Sequence, residues 1–382
     1  MNIVFISSMS PVVWGGSEEL WSLSALNLAR AGHRVGACVK CWPQPATRLL
    51  ELDSAEVAVY QRKPVDNSLS HRLWRKTRGI SSAQESAGRI AKWLRSLSPD
   101  MVCLSLANSQ DGLDYVRLCR DLVIPYVLVV HGVYDSLWAE DALAEEMARL
   151  YCAARRCFFV SQSNRELCED QIGTVLSNAE IVRNPFNVPY SATPTWPDPD
   201  PYWRLASVGR LEPHTKGQDI LLRVLAADKW KQRKLKVAFY GGGEHFGGVV
   251  RKLAERQTHG RVEFHGHVAD VEEIWRNNHG LVMPSRCEGM PLALVEAMLC
   301  SRMAIATDIA GHAEIVRHGV NGFLAAAPSV PLVDAALEEA WNKRQQWQAM
   351  GVKARTAVET LFPPDPAAVF ANRLEVLSKT SK

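Results

Sequence analysis

The chain has 382 residues and a formal net charge of +3, from 44 lysines and arginines against 41 acidic residues. That balance carries no argument for nucleic-acid binding, and 47% hydrophobic with 22% charged residues excludes extended disorder. The length exceeds one ordinary core and suits two domains, and nine scattered cysteines read as reduced thiols, not a disulfide framework.

Met1 to Ile6 lacks the basic flank and apolar length of a signal peptide. No stretch approaches the ~20 apolar residues of a spanning helix, so a cytoplasmic protein is expected. Ile3 to Ser7 is a short apolar run that leads into a turn-rich stretch ending at Gly15-Gly16. A helical pattern from Ser17 to about Ala31 places Leu20, Leu23, Leu26 and Leu28 on its apolar side. Gly32 suits the end of that helix, and His33 to Val39 is the next strand. Cys38 and Cys41 form one CxxC here; without a second pair or a nearby His they read as buried bystanders. Met101 to Leu106, Tyr126 to Val130 and Cys157 to Val160 follow, with helical stretches between. Short strands without alternation, separated by helices, mean a parallel sheet covered on both faces.

Pro185, Pro189, Pro194, Pro197, Pro199 and Pro201 then mark a stiff linker over 185–203. The strand–helix rhythm restarts at Leu205 to Val208, Lys236 to Tyr240, Val262 to Phe264, Gly280 to Met283 and Ala304 to Ala306. The predicted fold is therefore α/β, with two Rossmann-like, doubly wound domains over 1–190 and 204–362. Their strand ends are expected to face a central cleft. A last helix, at about 363–382, is expected to pack back on the first domain.

The sharpest chemical signal is Glu288-Gly289-Met290-Pro291-Leu292, which follows a strand and opens an apolar helix containing Glu296. Pro suits a helix start, and the free backbone N–H groups from Gly289 to Leu292, with the helix dipole, suit a diphosphate. Gly289 lets a ligand approach the backbone closely. Glu288 precedes the helix and Glu296 sits ~5 residues inside it, a rise of roughly 7–8 Å, so they can grip different parts of one elongated ligand. A second signal is Gly209-Arg210-Leu211-Glu212-Pro213-His214-Thr215-Lys216-Gly217, just after a strand. Arg210 as a planar fork and Lys216 as a point charge can neutralise a leaving pyrophosphate.

These segments resemble glycosyltransferase family 4, retaining enzymes of the GT-B fold, whose E-x7-E motif is matched by Glu288 and Glu296. The resemblance implies that Glu288 binds donor-sugar hydroxyls, that Glu296 binds the ribose, and that Arg210 and Lys216 stabilise the departing diphosphate without a metal. It further implies that Gly15 and Gly16 meet the donor phosphates from the first domain, that His131 lies beside the sugar, and that His265, Gly266, His267 and Val268 clamp the nucleobase. Arg210, Lys216, Glu288 and His131 are thus the expected catalytic set. Gly15, Gly16, Gly209, His265 to Val268, Gly289 to Leu292 and Glu296 are the expected donor-binding set. No cofactor is expected; the nucleotide-sugar is a co-substrate and the acceptor a glycan or lipid-linked molecule, commonly in surface polysaccharide synthesis. The expected chemistry is front-face substitution with retention, in a cleft closed against water.

Two departures stand out. Ser301-Arg302-Met303 replaces the Gly and Pro usual in the family, which is expected to alter the shape of the donor pocket. Gly241-Gly242-Gly243 tempts a dinucleotide reading, but the pattern fails at Phe246 and no acid ends the following strand, so NAD is not expected. Arg72, Arg75, Lys76 and Arg78 surround Leu73, Trp74 and Ile80. This is either a peripheral contact with the inner membrane face or a solvated loop. A GT-B epimerase or phosphorylase, and a scaffold derived from a transferase, are the rival functions.

Overall fold

A computed structural model describes residues 1–10, 12–64, 76–77, 82–258 and 260–379. Its chain divides into two compact units, Met1–Pro185 with Asp365–Lys382, and Phe186–Pro364. Arg72, Leu73, Trp74, Arg75, Arg78 and Ile80 lie outside the described residues.

In the first unit the described strands are β1 (Asn2–Ser7), β2 (Arg34–Lys40), β3 (Ala58–Arg62), β4 (Met101–Leu106), β5 (Tyr126–Val130), β6 (Arg156–Phe159) and β7 (Ala179–Ile181). They form one parallel sheet in the order β3-β2-β1-β4-β5-β6-β7. The order reverses between β1 and β4, the switch point at which doubly wound sheets bind ligands. β1 and β4 are buried along their whole length because helices cover both faces. The helix Gly16–Arg30 follows β1, and the helix Pro366–Lys379 packs against it, with Ser24 donating to the Ala367 carbonyl at 3.0 Å. Phe370 meets Phe158 edge-on at 5.0 Å, and Arg155 donates to the Leu377 carbonyl at 2.8 Å.

The second unit repeats the plan with β8 (Trp203–Val208), β9 (Leu235–Tyr240), β10 (Val262–Gly266), β11 (Gly280–Met283), β12 (Met303–Thr307) and β13 (Gly322–Ala325). Their order is β10-β9-β8-β11-β12-β13, again parallel, with the switch between β8 and β11. Trp203, Trp230, Trp347, Leu221 and Leu337 anchor its core.

Each strand expected from the sequence forms, within a residue or two of its expected ends. The edge strands β3, β7 and β13 escaped the reading, because a short or half-exposed edge carries no continuous apolar run. The proline-rich stretch is fastened to the second unit from residue 186 onward. Arg355 donates to the carbonyls of Tyr190 (2.8 Å) and Ala192, Tyr190 donates to the Phe362 carbonyl (3.1 Å), and Arg302 donates to the Thr195 carbonyl (2.7 Å).

Candidate active site

Two loops at the carboxyl edge of the second sheet build the site. After β8, Gly209 takes φ +148 and the chain runs through Arg210 to a single turn, Pro213–Lys216. Gly217 ends that turn at φ +63, and a Cβ there would lie 2.0 Å from the Pro284 carbonyl oxygen. Only glycine allows this approach. It packs the turn onto the loop that follows β11. The same two loops are laced by Arg286, whose backbone N–H donates to Thr215 (2.7 Å) and whose guanidinium forks onto Asp219 at 2.6 and 2.9 Å. The neighbouring guanidinium lowers the pKa of Asp219, against the opposing effect of its burial.

Lacing the loops brings Lys216 to Glu288. The ammonium lies 2.7 and 2.9 Å from the two carboxylate oxygens, and Ser285 donates to Oε1 at 2.8 Å. Behind them, Thr307 donates to the Ser285 carbonyl and His312 Nδ1 to the Thr307 carbonyl, both at 2.7 Å. An ionised carboxylate offers about four lone-pair directions. Three are used here, so Glu288 can still accept from a ligand hydroxyl. Its side chain is 7% exposed.

Arg210 stands apart from this network. Half of its side chain is exposed and its one described ion pair is with Glu212 at 3.1 Å. Lys216 is thus paired with a buried carboxylate, while Arg210 holds a more exposed pair that it can leave for a ligand. Gly289 is half-buried, Met290 and Pro291 are buried, and the helix Leu292–Leu299 begins after Pro291, which caps it in an extended conformation. The expected helix start thus falls one residue late. Its first N–H groups have no partner within the helix.

Glu296, the fifth residue of that helix, is 3% exposed and accepts from both the backbone N–H and the Nδ2 of Asn187, at 2.9 Å each. Burial raises its pKa, and the Asn187 bonds oppose the rise. His265 stacks on Tyr240 at 4.8 Å beside a cavity of about 290 Å³ that Val268, Arg204 and Asn278 also line. Gly266 turns the chain there at φ +71, just before His267, and its carbonyl accepts from Gly241 N–H.

In the first unit Gly15 caps the helix Gly16–Arg30 at φ −149, extended backbone that any residue adopts. His131 sits at the end of β5, 9% exposed, with Nε2 3.1 Å from the Ser105 hydroxyl and no partner for Nδ1 among the described residues. Burial lowers its pKa to about 4, so the ring is neutral at pH 7. Glu18, which the sequence reading passed over, is 3% exposed and accepts from the Ser7 hydroxyl at 2.8 Å. Burial raises its pKa to about 7. Its signal was an acid three residues after the capping Gly15.

At the departure Ser301-Arg302-Met303, expected to alter the shape of the donor pocket, Arg302 reaches Asn278, which lines the cavity beside His265. Arg302 is 2% exposed and turns toward the proline-rich stretch, donating to the carbonyls of Trp275, Asn278, Cys300 and Thr195. Trp196 covers its guanidinium at 4.9 Å. Every cysteine is free. Among the described residues no three His, Cys, Asp or Glu side chains gather as a metal would require, and no helix is long and apolar enough to cross a membrane.

Two parallel α/β units, the second with a lysine–carboxylate couple at its strand ends, define the GT-B architecture. The chain superposes over its full length on Anabaena HepE in complex with UDP, with a TM-score of 0.74 at 18% identity and all of both chains covered. The family model described as Glycosyltransferase Family 4 matches residues 14–189, and that described as Glycosyl transferases group 1 matches residues 203–342. With one match on each unit, the chain belongs to the family 4 glycosyltransferases. EpsD of Bacillus subtilis, named as a glycosyltransferase, is 32% identical over 143 residues, 37% of either chain. The uncharacterized glycosyltransferase MJ1178 of Methanocaldococcus jannaschii is 28% identical over 272 residues, 70% of this chain and 73% of that one. The matched stretch thus spans little more than a third of the first relative and nearly three quarters of the second.

Proposed function

We propose that this protein transfers a sugar, of hexose type, from a nucleoside-diphosphate sugar to a glycan or lipid-linked acceptor, with retention and without a metal. The observation that carries the proposal is the Lys216–Glu288 couple, held against Ser285 in the loop that leads into the helix Leu292–Leu299. A cation, a carboxylate with one direction left to accept, and unpartnered helix N–H groups suit an elongated ligand that is anionic at one end and hydroxylated at the other.

In this reading Glu288 accepts from a hydroxyl of the donor sugar, and Lys216 holds that carboxylate in place. Arg210 leaves Glu212 to meet the diphosphate as charge builds on it, and the helix N–H groups share the load. Glu296 accepts from the ribose through the oxygen that Asn187 does not occupy. The His265–Tyr240 stack offers a flat wall for the base, and neutral His131 offers a hydrogen-bonding ring without added charge. The complex of HepE with UDP supports a uridine donor. Surface polysaccharide synthesis in the cytoplasm, with the stretch around residues 72–78 as membrane contact, is the setting this reading favours.

The test is protection against thermal unfolding by UDP, GDP and their sugar conjugates, with and without EDTA, on wild type and Arg210→Ala. A ligand at ~100 times its Kd adds about 2.7 kcal/mol. Protection by one nucleotide that survives EDTA and weakens in Arg210→Ala is expected. Protection that requires a divalent cation refutes the metal-free reading, and no protection by any nucleotide refutes the donor site.

A further inference from the structure

Glu296 is a buried carboxylate with unequal oxygens. Oε1 accepts two hydrogen bonds, from the backbone N–H and the Nδ2 of Asn187, each 2.9 Å long. Oε2 accepts none from the described residues and, unlike the orphaned atoms elsewhere in the fold, is not sealed from solvent. Two donors converging on one oxygen define the carboxylate plane, because rotation about the last side-chain bond breaks both. The buried neighbours Val295 and Ala297 hold the helix backbone beneath it.

The two ends of this contact differ in kind. Glu296 stands on a buried helix, whereas Asn187 is an exposed residue at the start of the stretch that runs along the second unit. That stretch is held independently by Arg355 on Tyr190 and Ala192, and by Tyr190 on Phe362. Nothing in the packing of the stretch therefore requires the amide of Asn187. Its Nδ2 is spent on an acid that is already satisfied at the same oxygen by the backbone. A second donor there adds orientation more than it adds satisfaction.

We propose that Asn187 is a positioning residue: it locks the Glu296 carboxylate so that Oε2 is presented to the ribose hydroxyls of the nucleotide, and it thereby sets the preference for ribose. The proposal rests on the assignment of the ribose to Glu296 made above. Asn187 acts through Glu296 and touches no reacting atom.

The experiment titrates wild type, Asn187→Ala, Asn187→Asp and Glu296→Ala with UDP and GDP and with their 2′,3′-dideoxy analogues by calorimetry, and records the unliganded Tm of each. Wild type should prefer the ribonucleotide by ~10-fold or more, and Glu296→Ala should erase that preference. Asn187→Ala should cut the preference about 5-fold, because it loosens the Glu296 carboxylate without removing it. Its affinity for the dideoxy analogue should stay within ~2-fold, and its Tm should be unchanged. Asn187→Asp, which turns a donor into a second carboxylate, should lose more, and progressively so as pH rises. A ribose preference that both Asn187 variants retain and Glu296→Ala loses overturns the proposal and leaves the ribose assignment standing. Equal loss of both nucleotides in Asn187→Ala marks a structural role and likewise overturns it. No ribose preference in wild type, or no binding of UDP or GDP, overturns both.

Discussion

Replacing Arg302 with methionine tests the account of the one buried cation that has no carboxylate beside it among the described residues. The side chain keeps its apolar stem, so packing against Trp196 and Trp275 is roughly preserved while the donors vanish. The carbonyls of Trp275, Asn278, Cys300 and Thr195 lose hydrogen bonds of 2.6 to 2.9 Å. Burial lowers the pKa of Arg302 to about 10, which leaves it charged at neutral pH and gives back part of what those bonds contribute. If two of the four carbonyls stay dry at ~1–3 kcal/mol each, the net loss is about 4 kcal/mol. For a domain of roughly 150–250 residues, at about 2–4 °C per kcal/mol, the Tm should fall by ~8–16 °C. Arg302→Lys retains a point charge but not the fork, and should fall between. The assay is calorimetric unfolding of both variants and wild type. A loss under ~3 °C in Arg302→Met would refute the carbonyl-clamp reading.

Three further outcomes follow from the geometry. Lys216→Ala and Glu288→Gln should each cut sugar transfer by at least ~10²-fold, and the double variant should lose little more, because the two groups act as one unit; additive losses in kcat/KM would deny the coupling. Glu18→Gln should stabilise the protein above pH 7 by at most about 3 kcal/mol. The folded-state pKa of Glu18 is raised to about 7, so its contribution is present below the unfolded value and is lost as pH rises through 7. Urea unfolding at pH 5 and pH 8 checks this, and a gain that is larger at pH 5 would reverse the sign. Gly217→Ala forces a Cβ to 2.0 Å from the Pro284 carbonyl at φ +63. It should cost ~2 kcal/mol or more and weaken nucleotide protection by displacing Lys216; a variant with wild-type Tm and protection would refute that account.

What could be read along the chain was what short-range chemistry determines. Continuous apolar runs of four to six residues between helical patterns can only be strands buried on both faces. For that reason β1, β4, β5 and β11 were legible, while β7 and β13, three and four residues at sheet edges, were not. The glycines at 209 and 217 and the acids at 288 and 296 were legible by their spacing about two strand–helix turns. Tertiary structure alone decided who partners whom, because a side chain's partner depends on which loops the sheet brings together. It gave Lys216 to Glu288 and Arg210 to Glu212, set Asn187 on Glu296 from more than a hundred residues away, and turned Arg302 toward the carbonyls of Trp275 and Thr195. It also decided that Glu18, which the sequence reading passed over, is buried against Ser7 at the end of β1, where burial governs its proton.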